Sequence, residues 1–310
     1  MVNLYNDDCL NILKTLSDDS LDLLITSPPY YNAREYSHWN SVNDYMNNMK
    51  EIFSQVYRCL KNHHYIVVNI CDVVTQVGSN MNVTSKLPLG AMFIVMLQEI
   101  GFIYQEDFIW DKGEVQSNRM KGNLPYPFYQ YPCNCYEHIL IFVKHKLDNT
   151  KLKCPICNSD NVVINGLVGV GEQSFECKNP NCPNISDGGR GKRFSARSIM
   201  MNDYQKEENK IGYDLIKKWR RDIVKINPII KINSKGENLW EHSAPFPTDI
   251  PRMAIKFFSG VGDTVMDCFL GSGTSGIVAK ELHRNFIGVE LNKEYFELAK
   301  DRIEKDIFSL

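Results

Sequence analysis

The segment Ser27-Pro28-Pro29-Tyr30 combines a hydroxyl group, a stiff backbone and an aromatic ring within four residues. It follows the apolar run Leu21–Thr26, whose length and β-branched end predict a buried strand. Two consecutive prolines cannot continue a strand, so they predict an extended loop at its carboxyl end. The serine and carbonyl oxygens could accept hydrogen bonds from an exocyclic amine while the ring stacks on a planar base. The alternative is a proline-rich turn that only closes the strand.

A second segment that could bind a ligand is the glycine-rich turn after residues 264–267, which are predicted to form a strand. Gly271, Gly273 and Gly276 fit the pattern G-x-G-x-x-G, whose glycines let the backbone approach a ligand closely. A helix that starts in this turn would offer unpaired N–H groups, and Glu290 could accept hydrogen bonds from a ribose diol. By itself the pattern also fits a nicotinamide-dependent dehydrogenase or a purely structural turn.

Four cysteines form two closely spaced pairs, Cys154 with Cys157 and Cys177 with Cys182, separated by residues 158–176. Each pair can wrap one tetrahedral ion through a tight turn, and four thiolates close the coordination sphere. The spacing therefore predicts structural Zn²⁺, without a catalytic role because no coordination position stays open. The alternative is a set of four incidental reduced thiols.

A basic segment without any acidic residue follows the cysteines at residues 188–197. Guanidinium and ammonium groups in such a segment could contact DNA phosphates or guanine edges. The alternative is an ordinary solvated loop. The candidate DNA-binding residues of this segment are Arg190, Lys192, Arg193 and Arg197.

The elements that must position these residues alternate between strand and helix in two stretches of the chain. In the first stretch we predict strands at 21–26, 65–71, 102–110 and 137–144, and helices at 42–60 and 89–99. In the second we predict helices at 250–258, 275–282 and 293–304, and strands at 264–267 and 286–290. Residues 145–240 have shorter apolar runs, and only 212–224 show helical periodicity. The pattern predicts an α/β fold with an inserted module.

Bulk composition is that of an ordinary globular chain: 310 residues, 43% hydrophobic residues and a formal net charge of −2. Nucleic acid would therefore be met by local basic patches rather than by the field of the whole molecule. We find no signal peptide and no apolar run long enough to span a bilayer, so we expect a cytoplasmic or nucleoid-associated location. Ten cysteines without a secretory signal argue against a disulfide framework.

Taken together, Thr-Ser-Pro-Pro-Tyr at 26–30 and Asp-Cys-Phe-Leu-Gly-Ser-Gly-Thr at 267–274 resemble the two signature segments of the amino-methylating DNA methyltransferases. The catalytic segment precedes the cofactor segment, an order similar to that of the β group of this family. Further segments that resemble the family lie at 5–10, 137–144, 242–247 and 286–292. The resemblance covers about residues 1–145 and 240–310.

The resemblance implies a Rossmann-like, S-adenosylmethionine-dependent methyltransferase sheet with permuted motif order. Residues 1–144 would be its catalytic half and 241–310 its cofactor-binding half. Residues 145–240 would form a target-recognition insert that contains a zinc ribbon at about 152–198. The residues implied to hold the cofactor are Asp267, Phe269, Gly271, Ser272, Gly273, Thr274 and Glu290, with Asp8 and Cys9 reaching its adenine end.

The implied reaction is direct transfer of a methyl group to the exocyclic amine of a base flipped out of double-stranded DNA. Ser27 Oγ and the Pro28 carbonyl would accept from the amine, and Tyr30 would stack on the base. Ser27 stands where adenine-modifying members more often carry aspartate or asparagine, which favours cytosine N4 over adenine N6. Cys268 stands where the family usually has proline, and backbone contacts to the cofactor do not depend on that side chain.

The polar and aromatic loop after Tyr30 carries three further candidate DNA contacts, Arg34, His38 and Trp39. It could close over the flipped base or enter the gap left in the duplex; alternatively, Trp39 simply packs against the next helix. A companion restriction endonuclease and a homodimer stay open. The competing hypothesis from another class is an inactive zinc-ribbon DNA-binding protein on a methyltransferase fold.

Overall fold

A computed structural model of the chain describes residues 1–32, 39–77, 83–113, 134–147, 150–168, 171–183, 185, 191–229 and 247–305. The chain divides into two units. The first combines Met1–Lys144 with Ile211–Leu310, and the second is His145–Lys210. The second unit is shorter than the predicted insert 145–240, because the chain rejoins the first unit at Ile211.

The strands, numbered in chain order, are β1 (Val2–Tyr5), β2 (Leu21–Thr26), β3 (Leu60–Ile70), β4 (Val73–Val77), β5 (Val83–Leu87), β6 (Ile103–Asp111), β7 (Tyr136–Val143), β8 (Val162–Val168), β9 (Glu172–Cys177), β10 (Arg193–Phe194), β11 (Ile223–Lys225), β12 (Thr264–Asp267) and β13 (Asn285–Val289). The helices are α1 (Cys9–Thr15), α2 (Val42–Cys59), α3 (Leu89–Ile100), α4 (Ala196–Tyr204), α5 (Tyr213–Trp219), α6 (Asp249–Phe258), α7 (Thr274–Glu281) and α8 (Lys293–Glu304). The predicted bounds of β2, β12 and α8 agree with the structure.

The first unit is built on a sheet with the strand order β1-β13-β12-β2-β3-β7-β6-β11. The strands from β1 to β3 in this order run parallel, β7 runs antiparallel to both neighbours, and β11 is parallel to β6. The strand β12 lies directly beside β2 although it comes late in the chain. The predicted α/β sheet with permuted order is confirmed.

Helices cover both faces of this sheet, as the alternating side chains of its central strands require. Leu24 of β2 packs into the core with apolar residues of α1, α2 and α3. Its neighbours Leu23 and Ile25 pack into the other core with residues of α6, α7 and α8. This three-layer arrangement leaves the carboxyl ends of the parallel strands as the edge where loops can build a site.

The predicted helix at 212–224 is partly wrong, because α5 ends at Trp219 and residues 223–225 form β11. Trp219 is buried and packs edge-on against Phe108, with ring centroids 5.7 Å apart. The chain then pairs in parallel with β6, from Ile223 beside Ile109 to Lys225 beside Asp111. Periodicity alone cannot tell a helix from a strand in so short an apolar run. Here pairing with the main sheet decides for the strand.

The second unit contains a sheet with the order β10-β9-β8, whose pairs are antiparallel. Phe175 of β9 stacks on Phe194 of β10 with centroids 6.1 Å apart, and both rings are buried. Val162 and three of the predicted metal-binding cysteines complete this small core. Among the described residues of the whole chain, no helix has the length and apolarity needed to cross a membrane.

Candidate active site

The two segments singled out in the sequence meet where β2 and β12 end side by side. Thr26, the last residue of β2, donates its hydroxyl hydrogen to Asp267 Oδ1 at 2.6 Å, across 241 positions of sequence. Asp267 also accepts hydrogen bonds from the Ser275 hydroxyl and, at 3.1 Å, from the Phe269 N–H. Burial raises the pKa of Asp267, and these hydrogen bonds partly oppose the rise. Because the Asp267 carboxylate is wholly buried, it offers no exposed atom for the direct cofactor contact that the resemblance implies.

The glycine-rich turn needs glycine for backbone and for packing reasons. Gly271 and Gly273 have φ values of +53° and +81°, in the left-handed region that L side chains disfavour. A Cβ on Gly273 would lie 3.0 Å from the Ala299 Cβ, and one on Gly276 would lie 2.5 Å from Ile303 Cδ1. The turn therefore lets α7 begin at Thr274 and pack closely against α8.

Glu290, directly after β13, lies against this turn. Its Oε2 accepts from the Gly271 N–H at 2.8 Å, and its Oε1 accepts from the Asn292 N–H at 2.9 Å. Burial raises the pKa of the Glu290 carboxyl group, while these backbone hydrogen bonds act against the rise. A carboxylate has about four acceptor positions, so Glu290 keeps capacity for a ribose hydroxyl beside its backbone donors. The acceptors and the glycine turn together fit a nucleoside cofactor such as S-adenosylmethionine.

The rear of the turn is held by Arg302 of α8, which donates to the Ser272 carbonyl. Arg302 is buried, and burial lowers its pKa to about 10. Ser272 and Thr274 are buried as well, with their hydroxyl oxygens 3.4 Å apart. Phe269 is half-buried and packs against the core. The cofactor candidates of this half thus lie together at one turn.

The Ser-Pro-Pro-Tyr loop continues from β2 at the same edge of the sheet. Pro28 is buried, whereas Ser27, Pro29 and Tyr30 are half-buried. The Ser27 Oγ lies 3.4 Å from the Tyr30 hydroxyl oxygen, and Tyr30 donates to Glu137 Oε2 at 2.7 Å. Burial, followed by the nearby Glu137 charge, raises the pKa of Tyr30 well above its usual value. The phenol therefore stays protonated and acts as a hydrogen-bond donor.

The opening segment brings Asp8 and Cys9 to the start of α1. Asp8 caps this helix, because its Oδ1 accepts from the Leu10 N–H at 2.8 Å. Cys9 is buried beside Cys268, and this contact together with burial raises the pKa of Cys268 well above its usual value. Asn6 connects the segment to the end of β13 by donating to the Glu290 carbonyl at 2.9 Å.

The candidate DNA contacts fall into three groups. Arg34, His38 and Arg190 lie outside the described residues. The Trp39 ring packs edge-on against Tyr45 of α2 at 4.9 Å, which is the structural alternative considered for it. The remaining basic candidates, all exposed in the second unit, are Lys192, Arg193 and Arg197.

The four cysteines converge in the second unit, with sulfur atoms all within 4.8 Å of one another. Cys154 and Cys182 have their sulfurs 3.9 Å apart, and Cys157 and Cys177 have theirs 3.7 Å apart. Four thiolates about 2.3 Å from a tetrahedral zinc lie about 3.8 Å from one another, whereas a disulfide requires about 2.05 Å. The donor set and its spacing therefore fit Zn²⁺.

Several site residues do not stand out in the sequence. Thr26 and Ser275 join the two loops through Asp267, and Glu137 receives the Tyr30 hydrogen bond. Glu137 begins a segment that resembles the family, but only the folded sheet places β7 beside the Ser-Pro-Pro-Tyr loop. Arg302 belongs to a regular helical pattern, so the sequence offers no signal for its contact with the turn.

Comparison with known proteins agrees with this geometry. A family model for N6 and N4 methyltransferases, described as DNA methylase, matches residues 21–301. The type II beta methyltransferase M.BslI of Bacillus sp. (strain NEB-606) is 34% identical over 307 residues; the match covers 97% of this chain but only 27% of M.BslI, so the chain spans about a quarter of that relative.

Two solved structures share the fold. A Thermus thermophilus protein, TTHA0409, described as a DNA modification methylase and complexed with S-adenosyl-L-methionine, has a TM-score of 0.64 and 21% identity, covering 99% of this chain and 96% of its own. The cytosine-N4-specific PvuII DNA methyltransferase has a TM-score of 0.61 and 18% identity, covering 98% of this chain and 89% of its own.

Proposed function

Because this chain belongs to the DNA methylase family of N6 and N4 methyltransferases, we propose that it methylates an exocyclic amine of a base in double-stranded DNA. The observation that carries the proposal is the Thr26–Asp267 hydrogen bond. This bond fastens the loop that would hold the amine to the turn that would hold the cofactor. Both loops lie at the carboxyl edge of the parallel strands, where α/β sheets bind their ligands.

S-adenosylmethionine, when bound, supplies an electrophilic methyl group. The residues proposed to hold it are Phe269, the Gly271–Thr274 turn, Glu290 and, at the adenine end, Asp8 and Cys9. Ser27 Oγ and the Pro28 carbonyl would accept from the target amine and direct its lone pair towards the methyl carbon. The Tyr30 ring would stack on the flipped base. Alignment of the two reactants and these acceptors would then supply most of the acceleration.

The variant Ser27→Ala tests this assignment. We expect it to slow methyl transfer to DNA by about a hundredfold, as loss of one pre-oriented polar group does in other active sites. The dissociation constant of S-adenosylmethionine should stay unchanged, because Ser27 belongs to the other loop. Ser20→Ala is the matched control, since Ser20 precedes the same strand and its hydroxyl donates to the Ser17 carbonyl. Equal losses of turnover and cofactor binding would show that the loop is merely structural.

Cytosine N4 is the favoured target, and adenine N6 is the alternative. The residue type at Ser27 supports this choice, since the resemblance associates aspartate or asparagine at this place with adenine. A nicotinamide-dependent dehydrogenase is disfavoured because the family match spans the catalytic loop as well as the glycine turn. The intact Ser-Pro-Pro-Tyr segment argues against an inactive DNA-binding protein, because such a protein would not require the Ser27 hydroxyl.

We further propose that the second unit binds one structural Zn²⁺ through Cys154, Cys157, Cys177 and Cys182 and takes part in recognising the DNA target. The spacing of the four sulfurs supports the metal. Asn179 Nδ2 lies 3.6 Å from Cys157 Sγ and could donate to a thiolate ligand. The exposed Lys192, Arg193 and Arg197 supply positive charge for phosphate or guanine contacts.

A further inference from the structure

A series of polar contacts runs from the Ser-Pro-Pro-Tyr loop into the sheet. The Ser27 Oγ lies 3.4 Å from the Tyr30 hydroxyl, which lies 2.7 Å from Glu137 Oε2. Lys112 donates to the other carboxylate oxygen, Glu137 Oε1, at 2.9 Å. Glu137 is the second residue of the antiparallel strand β7 and Lys112 directly follows β6, so both stand at the carboxyl edge of β2. The side chains of Lys112 and Glu137 are only 14% and 13% exposed.

The Glu137 carboxylate sets the direction of the hydrogen bonds that lead from Ser27 through Tyr30. An ionised carboxylate can only accept hydrogen bonds, so the Tyr30 hydroxyl must donate its single hydrogen to Glu137. The Tyr30 oxygen then remains an acceptor towards Ser27, and the Ser27 hydroxyl must be the donor in the 3.4 Å contact. With its hydrogen directed at Tyr30, the Ser27 oxygen can offer only lone pairs to another group.

We propose that Glu137 is a positioning residue that fixes this direction, so that Ser27 meets the target amine as an acceptor and never as a donor. The inference rests on the proposed function and deepens it. A serine hydroxyl without such a partner can rotate and present its hydrogen to the amine, which would compete for the lone pair that must attack the methyl group. Glu137 removes that orientation without touching the base.

Lys112 allows the direction of the chain to be inverted by one substitution. In Glu137→Gln the Lys112 ammonium still requires an acceptor, so the amide oxygen turns to Lys112 and the amide NH₂ turns to Tyr30. The Tyr30 oxygen then accepts from the amide, its hydrogen points to Ser27, and the Ser27 hydrogen is released towards the amine. The substitution keeps the size and shape of the side chain but inverts the donor–acceptor direction of the contacts from position 137 through Tyr30 to Ser27.

The test measures the single-turnover rate of methyl transfer to DNA and the dissociation constant of S-adenosylmethionine. We expect Glu137→Gln to lower the rate by about tenfold or more, the effect of one misdirected hydrogen bond, with cofactor binding unchanged. The double variant Lys112→Met/Glu137→Gln should recover most of the rate, because the amide is then free to turn its oxygen to Tyr30. Glu106→Gln on the exposed part of β6 is the matched control and should leave the rate unchanged.

Tyr30→Phe supplies an independent arm, because it breaks the chain while leaving the Lys112–Glu137 pair intact. It should lower the rate, and Glu137→Gln should add little to it. The inference is overturned if Glu137→Gln matches the wild type, or if removal of Lys112 gives no recovery. Should Glu137→Gln fail to fold, a Tyr30→Phe rate equal to that of the wild type would overturn it. A wild-type protein that methylates no DNA would instead refute the proposed function.

Discussion

The carboxylate of Asp267 is wholly buried, yet each of its oxygens accepts a hydrogen bond from a hydroxyl of another segment. Burying an ionised carboxylate costs several kcal/mol unless donors surround it, and here Thr26, Ser275 and the Phe269 N–H do so. Glu290, by contrast, accepts from backbone N–H groups of Gly271, Leu291 and Asn292 and keeps acceptor capacity beyond them. The two acids therefore differ in role: Asp267 joins the two loops, whereas Glu290 has the acceptor capacity to bind a ligand.

His138 provides a pH-dependent contribution to stability. Burial and the charge of Lys86 tend to lower the pKa of His138. The hydrogen bond to Asp107 at 2.7 Å and the charges of Asp107 and Asp72 raise it by more, so the pKa of His138 is raised overall. A raised folded-state pKa stabilises the protein most below the unfolded value of about 6.5, and this stabilisation is lost as pH rises through the folded-state pKa.

We therefore expect the difference in unfolding free energy between the wild type and His138→Gln to be largest near pH 6 and to shrink towards alkaline pH. Chemical denaturation across this pH range measures it. Asp107→Asn is the matched variant and should flatten the same pH dependence while keeping the imidazole. A difference that grows with pH would contradict the assigned direction.

At the scale of elements, the glycine turn between β12 and α7 makes a sharp prediction. Gly273→Ala combines a positive φ with a Cβ that would lie 3.0 Å from the Ala299 Cβ. Gly262→Ala has a similar φ of +86° but meets nothing within 4 Å, so it carries backbone strain alone, about 1–2 kcal/mol. Overpacking should add about 1–3 kcal/mol at Gly273.

Thermal denaturation and calorimetric titration with S-adenosylmethionine measure both consequences. We expect Gly273→Ala to be the less stable variant and to lose cofactor affinity, whereas Gly262→Ala retains that affinity. Equal affinities in the two variants would exclude the turn as the cofactor-binding element.

The central elements of the sheet could be predicted because each carries its own local signal. β2 is a mostly apolar run followed, after Ser27, by two prolines, and β12 is followed by a glycine turn. The short β1 has no such signal, since it depends on pairing with β13, from Val2 beside Phe286 to Tyr5 beside Val289. For the same reason β11 is indistinguishable from a helix end until it pairs with β6.

The candidate site divides in the same way. Motif residues such as Ser27 and Gly271 are recognisable from type and spacing, whereas Thr26 and Glu137 acquire roles only through neighbours distant in sequence. Glu137 lies 107 positions from Tyr30, and no local pattern encodes that contact. Sequence patterns can thus indicate which chemistry is present, while the polarity of the hydrogen bonds requires the fold.

At the scale of the whole molecule, the proposed metal site and the proposed cofactor site belong to different units. All four cysteines belong to the second unit, whereas the glycine turn and the Ser-Pro-Pro-Tyr loop belong to the first. The small core around Phe175 is partly built from the cysteines themselves, so its order should depend on the bound ion.

We expect the purified protein to contain a single zinc ion per chain, measured by mass spectrometry of the metal. Chelation should unfold the second unit and abolish specific DNA binding, while S-adenosylmethionine binding survives. Cys157→Ser should reproduce the loss of metal, and Cys135→Ser, a free cysteine outside the quartet, should not. A verified metal-free protein that still methylates its site normally would contradict the role given to zinc.

The most direct test of the proposed reaction is nucleoside mass spectrometry of DNA from cells that express the protein or its Ser27→Ala variant. We expect N4-methylcytosine in DNA from cells with the intact protein and its loss with the variant. N6-methyladenine in the same pattern would keep the reaction and correct the base. Absence of both modified nucleosides, with the purified protein also inert on varied DNA, would contradict the claim that this chain methylates DNA.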